Sequence, residues 1–128
     1  MKKVWLIDDD EDMVRAVQMM LKLLDCESRF FYSARHAVDS LSAGEQPDLL
    51  VVDINMPEVT GIDLLEFLRR QEQWRQLPIV MLSTEAADVM VDRAMELGAD
   101  AYVTKPVAIE ELQQAMEKAF KAHENNPS

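Results

Sequence analysis

Cysteine is nearly absent from this chain, long apolar runs are missing, glycine is scarce, and basic residues are outnumbered by acids. The single cysteine, Cys26, in 128 residues excludes an internal disulfide and fits a reducing compartment; it is read as a small apolar filler near a helix end. No stretch approaches the roughly 20 apolar residues of a membrane-spanning helix. Lys2-Lys3 followed by Val4 to Ile7 is too short for a secretory signal and runs straight into five acids, Asp8 to Asp12. A cytoplasmic protein with no membrane contact is expected. The chain holds 13 Lys and Arg against 24 Asp and Glu, a formal charge of −11. Such a surface disfavours direct binding to nucleic acid or anionic lipid, so any effect on DNA would pass through a partner or another domain.

What the chain does have is a set of four short apolar runs, each ending in polar residues. Val4-Trp5-Leu6-Ile7 leads into Asp8-Asp9, Leu49-Leu50-Val51-Val52 into Asp53, Ile79-Val80-Met81-Leu82 into Ser83-Thr84, and Ala101-Tyr102-Val103-Thr104 into Lys105-Pro106. Runs of this length bounded by polar residues read as buried parallel strands. Helical periodicity fills the gaps between them. Strands are predicted over residues 3–7, 28–32, 48–52, 79–82 and 101–104, and helices over 11–24, 34–44, 62–73, 85–97 and 109–122. Ser33 is placed as a helix N-cap and Gly98 as a helix stop. Strand 28–32 is the least apolar and is assigned to a sheet edge. Strict alternation calls for an α/β fold, a single (βα)5 doubly wound parallel sheet with helices on both faces. The flavodoxin-like strand order 2-1-3-4-5 is expected. Residues 1–122 are read as one domain and 123–128 as a polar tail or the start of a linker.

In such a sheet ligands bind beyond the carboxyl ends of the strands, which is where Asp8, Asp9, Asp53, Ser83 and Lys105 fall. Two like charges at 4 Å repel by about 4 kcal/mol at an effective dielectric of 20, so three carboxylates together call for a cation. A hard divalent ion such as Mg²⁺ (or Mn²⁺) takes oxygen ligands of this kind. With Lys105 the formal sum is then zero, a site able to accept a phosphoryl group. Asp53 ends the central strand and is the candidate nucleophile. Plainer readings exist for each piece. The acid run is in part a helix start, with Asp10 as cap and Glu11 and Asp12 in the first turn. A lone aspartate after a strand, or a lysine before proline, is as often loop polarity. The weight comes from their joint occurrence on four correctly ordered strands. Met13, Met19, Met20, Met90, Met95 and Met116 are read as core filler, Trp5 as core, and Trp74 as an anchor at the end of the third helix. His36 and His123 receive no role.

Four segments together resemble the receiver domain of two-component response regulators: Ile7-Asp8-Asp9-Asp10, Val52-Asp53-Ile54-Asn55-Met56-Pro57 with Gly61, Leu82-Ser83-Thr84-Glu85, and Ala101-Tyr102-Val103-Thr104-Lys105-Pro106. Singly they are weak; in this order and spacing they are specific, and the likeness covers nearly the whole chain. The resemblance implies that Asp53 accepts the phosphoryl group. It implies Mg²⁺ held by Asp9, Asp53 and the backbone carbonyl of Asn55, with Asp8 reaching the metal largely through water. By the same likeness Lys105 pairs with phosphoryl oxygens and precedes a cis proline, Ser83 and Tyr102 are the switch pair, and Asn55 and Glu85 tune phosphoryl lifetime. Two positions depart from the family's usual residues. Thr84 stands where a smaller side chain is common and narrows access to the phosphoryl group; Thr60 stands where Asp or Asn is common and changes only a loop.

The partners implied are a histidine kinase or histidine phosphotransfer protein upstream, and a downstream protein or fused output domain. A homodimer through the fourth helix, fifth strand and fifth helix is a further expectation. The chain is thus expected to be a phosphorelay receiver, catalysing only its own phosphorylation and dephosphorylation. Two other classes share the fold. An aspartyl-nucleophile phosphatase commonly carries a second acid two residues after the nucleophile, whereas here Asn55 cannot protonate a leaving group. A flavin-binding module needs a Ser/Thr/Gly-rich phosphate loop after the first strand, where this chain has Asp8 to Asp12 instead.

Overall fold

The computed structural model describes residues 1–84 and 87–124. Its order is β1 (Lys2–Ile7), α1 (Glu11–Leu23), β2 (Cys26–Phe31), α2 (Ala34–Ser42), β3 (Leu49–Asp53), α3 (Gly61–Arg70), a short 3-10 turn (Glu72–Trp74), β4 (Ile79–Ser83), α4 (Asp88–Glu96), β5 (Ala101–Thr104) and α5 (Ile109–His123). All four strand pairings are parallel, in the order β2-β1-β3-β4-β5. This is the expected (βα)5 arrangement, with β2 at an edge.

Every residue of β3 and β4 is buried, which is why these runs lack polar alternation. Side chains still alternate between the two faces of the sheet. Val4, Leu6, Leu49, Val51, Val80 and Leu82 pack against Val14, Val17 and Leu21 of α1 and Leu112, Met116 and Ala119 of α5. Trp5, Ile7, Leu50, Val52, Ile79 and Met81 pack on the other face against Ala37 and Leu41 of α2, Leu64, Leu65 and Leu68 of α3, and Ala94 of α4. Helix starts follow their side chains. Asp10 caps α1 by accepting from the Asp12 and Met13 amides, and Ser33 caps α2 through His36 N. Thr60 and Asp63 form a reciprocal capping box at α3.

Several expectations needed correction. β2 begins at Cys26, two residues early, so Cys26, two residues past the α1 cap, opens a strand; its half-buried side chain packs against the α1–α5 core. Helix α3 stops at Arg70, and Trp74 is buried in the following 3-10 turn. Met19 is 68% exposed and fills no core. The last turn of α5 includes His123, whose Nε2 lies 2.9 Å from both carboxylate oxygens of Asp100. Asp100 in turn accepts from the Ile79 amide and from Arg69 Nη2 at 3.0 Å. Arg69 also donates to the carbonyls of Gly98, Trp74, Arg75 and Leu77. This network ties α3, α5 and the starts of β4 and β5 together at the end of the sheet away from the strand carboxyl termini. Gly98 is needed there twice over: its φ is +109°, and a Cβ would sit 2.8 Å from Arg69 Cγ.

Candidate functional site

The parallel register brings the ends of β1, β3, β4 and β5 to one edge, and the carboxylates, hydroxyl and ammonium arrive with them. Asp53 is the last residue of β3 and Ser83 the last of β4. Asp8, Asp53 and Ser83 are the buried polar side chains among the described residues, at 0%, 2% and 0% exposure. Asp9, next in sequence, is exposed. One oxygen from each of Asp8, Asp9 and Asp53 can be chosen so that all three lie within 4.8 Å of one another.

Lys105 reaches in from the loop after β5. Its Nζ lies 3.1 Å from Asp53 Oδ1 and 3.1 Å from Asp8 Oδ2. The Asp53 contact is a hydrogen bond. Asp8 Oδ2 has no partner in hydrogen-bond geometry and relies on the charge of the ammonium. The peptide bond between Lys105 and Pro106 is cis, as the resemblance implies. Asp8 Oδ1 accepts from the Asp10 amide at 2.9 Å, and Asp53 Oδ1 from the Asn55 amide at 3.4 Å. Asn55 Nδ2 lies 3.4 Å from Ser83 Oγ, so the Asn55 and Ser83 side chains meet beside Asp53.

One ammonium does not balance this much buried negative charge. Burial, followed by the Asp8 charge, raises Asp53 from an ordinary 3.8 to about 6, against the opposing pull of the Lys105 hydrogen bond and charge and the Asn55 amide. Lys105 is raised in its turn. Burial works to lower it, but its hydrogen bond to Asp53 and the charges of Asp8 and Asp53 outweigh that. A buried carboxylate oxygen without a hydrogen bond, two further acids within reach and an all-oxygen donor set together suit a hard divalent cation.

The backbone around Asp53 is closely packed. Gly61, the first residue of α3, donates its amide to Ile54 O at 2.9 Å. A Cβ on Gly61 would lie 2.3 Å from Asp53 O, so only glycine lets α3 start against the end of β3. Tyr102 in β5 is half-buried and packs against the core on the α2–α4 face. Thr84 is exposed at the rim. Glu85 lies outside the described residues. No helix among the described residues is long and apolar enough to cross a membrane.

Comparisons with known proteins agree with this geometry. The chemotaxis protein CheY of Pseudomonas aeruginosa is 33% identical over 123 residues, spanning 92% of this chain and 95% of that protein. CheY1 of Helicobacter pylori is 30% identical over 118 residues, spanning 90% and 94%. Protein RcaC of Microchaete diplosiphon is 34% identical over 118 residues, which cover 86% of this chain and only 17% of RcaC. Among solved structures, CheY4 of Vibrio cholerae superposes with a TM-score of 0.83 at 27% identity, covering 93% of this chain and 98% of that one. The sequence profile of the response regulator receiver domain matches residues 4–117. With the profile spanning most of the chain and the strand-end carboxylates and lysine placed as described, the chain belongs to the response regulator receiver domain family.

Proposed function

We propose that Asp53 accepts a phosphoryl group from a phosphohistidine of a histidine kinase or phosphotransfer protein, with Mg²⁺ held by Asp9, Asp53 and the Asn55 carbonyl, and Asp8 behind them. Receiver domains are phosphorelay modules rather than turnover enzymes. The observation that carries the reading is the Lys105 ammonium placed 3.1 Å from both Asp53 and Asp8, with Asp9 close enough to complete a three-carboxylate cluster. When bound, the metal supplies positive charge against the phosphoryl oxygens.

The transfer needs alignment and charge balance more than acid–base power. A carboxylate oxygen of Asp53 attacks phosphorus in line; the P–N bond to the donor imidazole breaks as the new O–P bond forms. Lys105 moves its ion pair from the Asp53 carboxylate to a phosphoryl oxygen. The Ser83 hydroxyl, now beside Asn55 Nδ2, donates to another. The added charge and acceptor oxygens draw Ser83 and Lys105 inward. The vacated space lets Tyr102 turn further into the α4 side, biasing the α4–β5–α5 face between two states. That face is then the surface for a downstream protein, a fused output domain or a second copy. Water later hydrolyses the acyl phosphate slowly, with Asn55, Thr84 and Glu85 setting its lifetime. The reading carries with it a cytoplasmic location, a domain spanning residues 1–122, and no contact of this chain with nucleic acid or membrane.

The test is incubation of the protein and an Asp53→Ala variant with Mg²⁺ and acetyl phosphate. The parent should take up one phosphoryl group and the variant none. Equal uptake by both would remove Asp53 from the chemistry.

A further inference from the structure

β2 is an outer strand with an open edge. It spans six residues, Cys26 to Phe31, and pairs with β1 on one side only. The Asp8 amide donates to Phe31 O at 3.0 Å, which fixes the parity of the ladder. In parallel pairing every second residue turns both its amide and its carbonyl to the same neighbouring strand. Glu27, Arg29 and Phe31 therefore face β1, and Cys26, Ser28 and Phe30 turn their backbone groups outward. Among the described residues no backbone group meets them there.

Outer strands are commonly blunted by proline, by a bulge, by brevity or by charge. β2 has no proline, pairs with β1 residue by residue without a bulge, and is as long as β1. What it has is Glu27 and Arg29, opposite charges two residues apart. Arg29 pairs with Trp5, so both lie on the α2 side of the sheet. The exposed charges around them balance: Lys22, Arg29 and Arg35 stand against Asp25, Glu27 and Glu45, and Glu11 pairs with Arg15. On a chain of charge −11 this neutral edge offers a second copy little repulsion.

We propose that β2 pairs with β2 of a second copy, antiparallel across a two-fold axis at Ser28, joining the sheets of both copies into one. Few registers are open to it, because Cys26, Ser28 and Phe30 must face one another. Centred on Ser28, Ser28 meets Ser28 and Cys26 meets Phe30 as hydrogen-bonded pairs, giving about six inter-strand bonds. Glu27 then stands opposite Arg29 of the second copy, and Arg29 opposite its Glu27. These are the non-hydrogen-bonded positions, where facing side chains come closest. The next allowed register in either direction sets Arg29 against Arg29 or Glu27 against Glu27, which repel. The other side of the strand agrees. Leu6 faces α1 and Phe30 pairs with it, so Phe30 and its neighbouring ring Tyr32 stand on the α1 side. They are 41% and 44% exposed, with ring centroids 5.0 Å apart. In the same register Phe30 meets Cys26 of the second copy and Tyr32 its Leu24, both half-buried at the rim of the α1–α5 core. The acid run Asp8 to Asp12 follows β1 at the site end, and the two-fold sends the two runs to opposite ends. Both Asp53 sites and both α4–β5–α5 faces stay open, so the pairing is independent of phosphorylation.

The test is sedimentation equilibrium at physiological ionic strength, where a Debye length of about 8 Å screens distant acids and leaves facing charges to act. Parent, Glu27→Arg, Arg29→Glu and Ser28→Pro proteins are compared at concentrations up to about 1 mM. The parent should dimerise, and each variant should weaken dimerisation about tenfold or more. Ser28→Pro removes an amide that points outward and leaves the β1 ladder whole. Mixing Glu27→Arg with Arg29→Glu restores opposite charges at both facing positions, so the mixture should dimerise as the parent does. Exchange of the Phe30 amide should slow as parent concentration rises, and not in Ser28→Pro. A parent that stays monomeric throughout would overturn the proposal, as would a dimer untouched by Ser28→Pro or a mixture of folded charge variants that fails to recover. Phe30 exchange indifferent to concentration would place the contact on another face and overturn it too. Arg29 also lies over the Trp5 and Phe31 rings; if Arg29→Glu does not fold, Ser28→Pro and the exchange measurement decide the matter.

Discussion

Replacing Asp53 by asparagine should stabilise the metal-free protein, and the gain should depend on pH in a set way. In the folded chain Asp53 titrates at about 6, against an ordinary 3.8, because burial and the Asp8 charge penalise its ionised form. A folded-state value above the unfolded one means that the native state binds the proton more tightly. Its contribution is therefore present below the unfolded value and is lost as pH rises through the folded one. One pH unit of such a difference is about 1.4 kcal/mol, so the ionised carboxylate costs about 3 kcal/mol of folding free energy at neutral pH. Asparagine keeps the shape without the charge, and Lys105 keeps Asp8 as its partner. The stability gap between Asp53→Asn and parent in EDTA should be near zero below about pH 4, grow between about 4 and 6, and level off near 3 kcal/mol above that. For a domain of this size the plateau is about 10 °C in melting temperature. Saturating Mg²⁺ should close much of the gap, because it stabilises only the parent's carboxylate cluster. Urea titrations from pH 4 to 8, with and without metal, measure it. A variant no more stable than the parent at pH 7 in EDTA would refute the claim that Asp53 is held under charge repulsion.

Three other outcomes follow from particular contacts. Gly61→Ala puts a Cβ 2.3 Å from Asp53 O; a backbone shift at the nucleophile should cost about 1–3 kcal/mol and slow labelling by acetyl phosphate, both read on one sample. Arg69→Ala leaves four backbone carbonyls and the Asp100 carboxylate without their buried donor, and denaturant melts should show a loss of about 3–5 kcal/mol. Burial, and then the Asp25 charge, raise the Cys26 thiol above its ordinary value, so its reaction with a thiol reagent at pH 8 should be slower than that of free cysteine and reach that rate only on unfolding.

The strand cores were readable because a strand buried on both faces admits few polar residues, so its run of Leu, Ile and Val stops where the site begins. Asp53 and Ser83 are legible for that reason, each being the first polar side chain after such a run. Edges were less so. β2 opens with Cys26-Glu27-Ser28, where burial alternates and no apolar run marks the start. Helix α3 ends at Arg70 with no glycine after it. The Arg69–Asp100–His123 network left no trace in the sequence, because its members are 31 and 23 residues apart and have no shared periodicity. The exposure of Phe30 within the edge strand depends on the α1 flank of β2 being open, a matter of tertiary arrangement. Lys105 was legible at the site from its place after an apolar run, from charge balance and from the family resemblance, and the register of β5 on β4, which sets Thr104 beside Ser83, carries it to the carboxylates.

The most direct measurement is chemical trapping of the phosphorylated residue. After reaction with acetyl phosphate and Mg²⁺, radiolabelled borohydride reduces an acyl phosphate and marks the carboxylate that carried it, and peptide mapping locates the mark. Labelling of Asp53 alone, lost when Mg²⁺ is withheld, is the predicted result. A mark on Asp8 or Asp9, or labelling indifferent to the metal, would contradict the assignment of the nucleophile and its charge-balanced site.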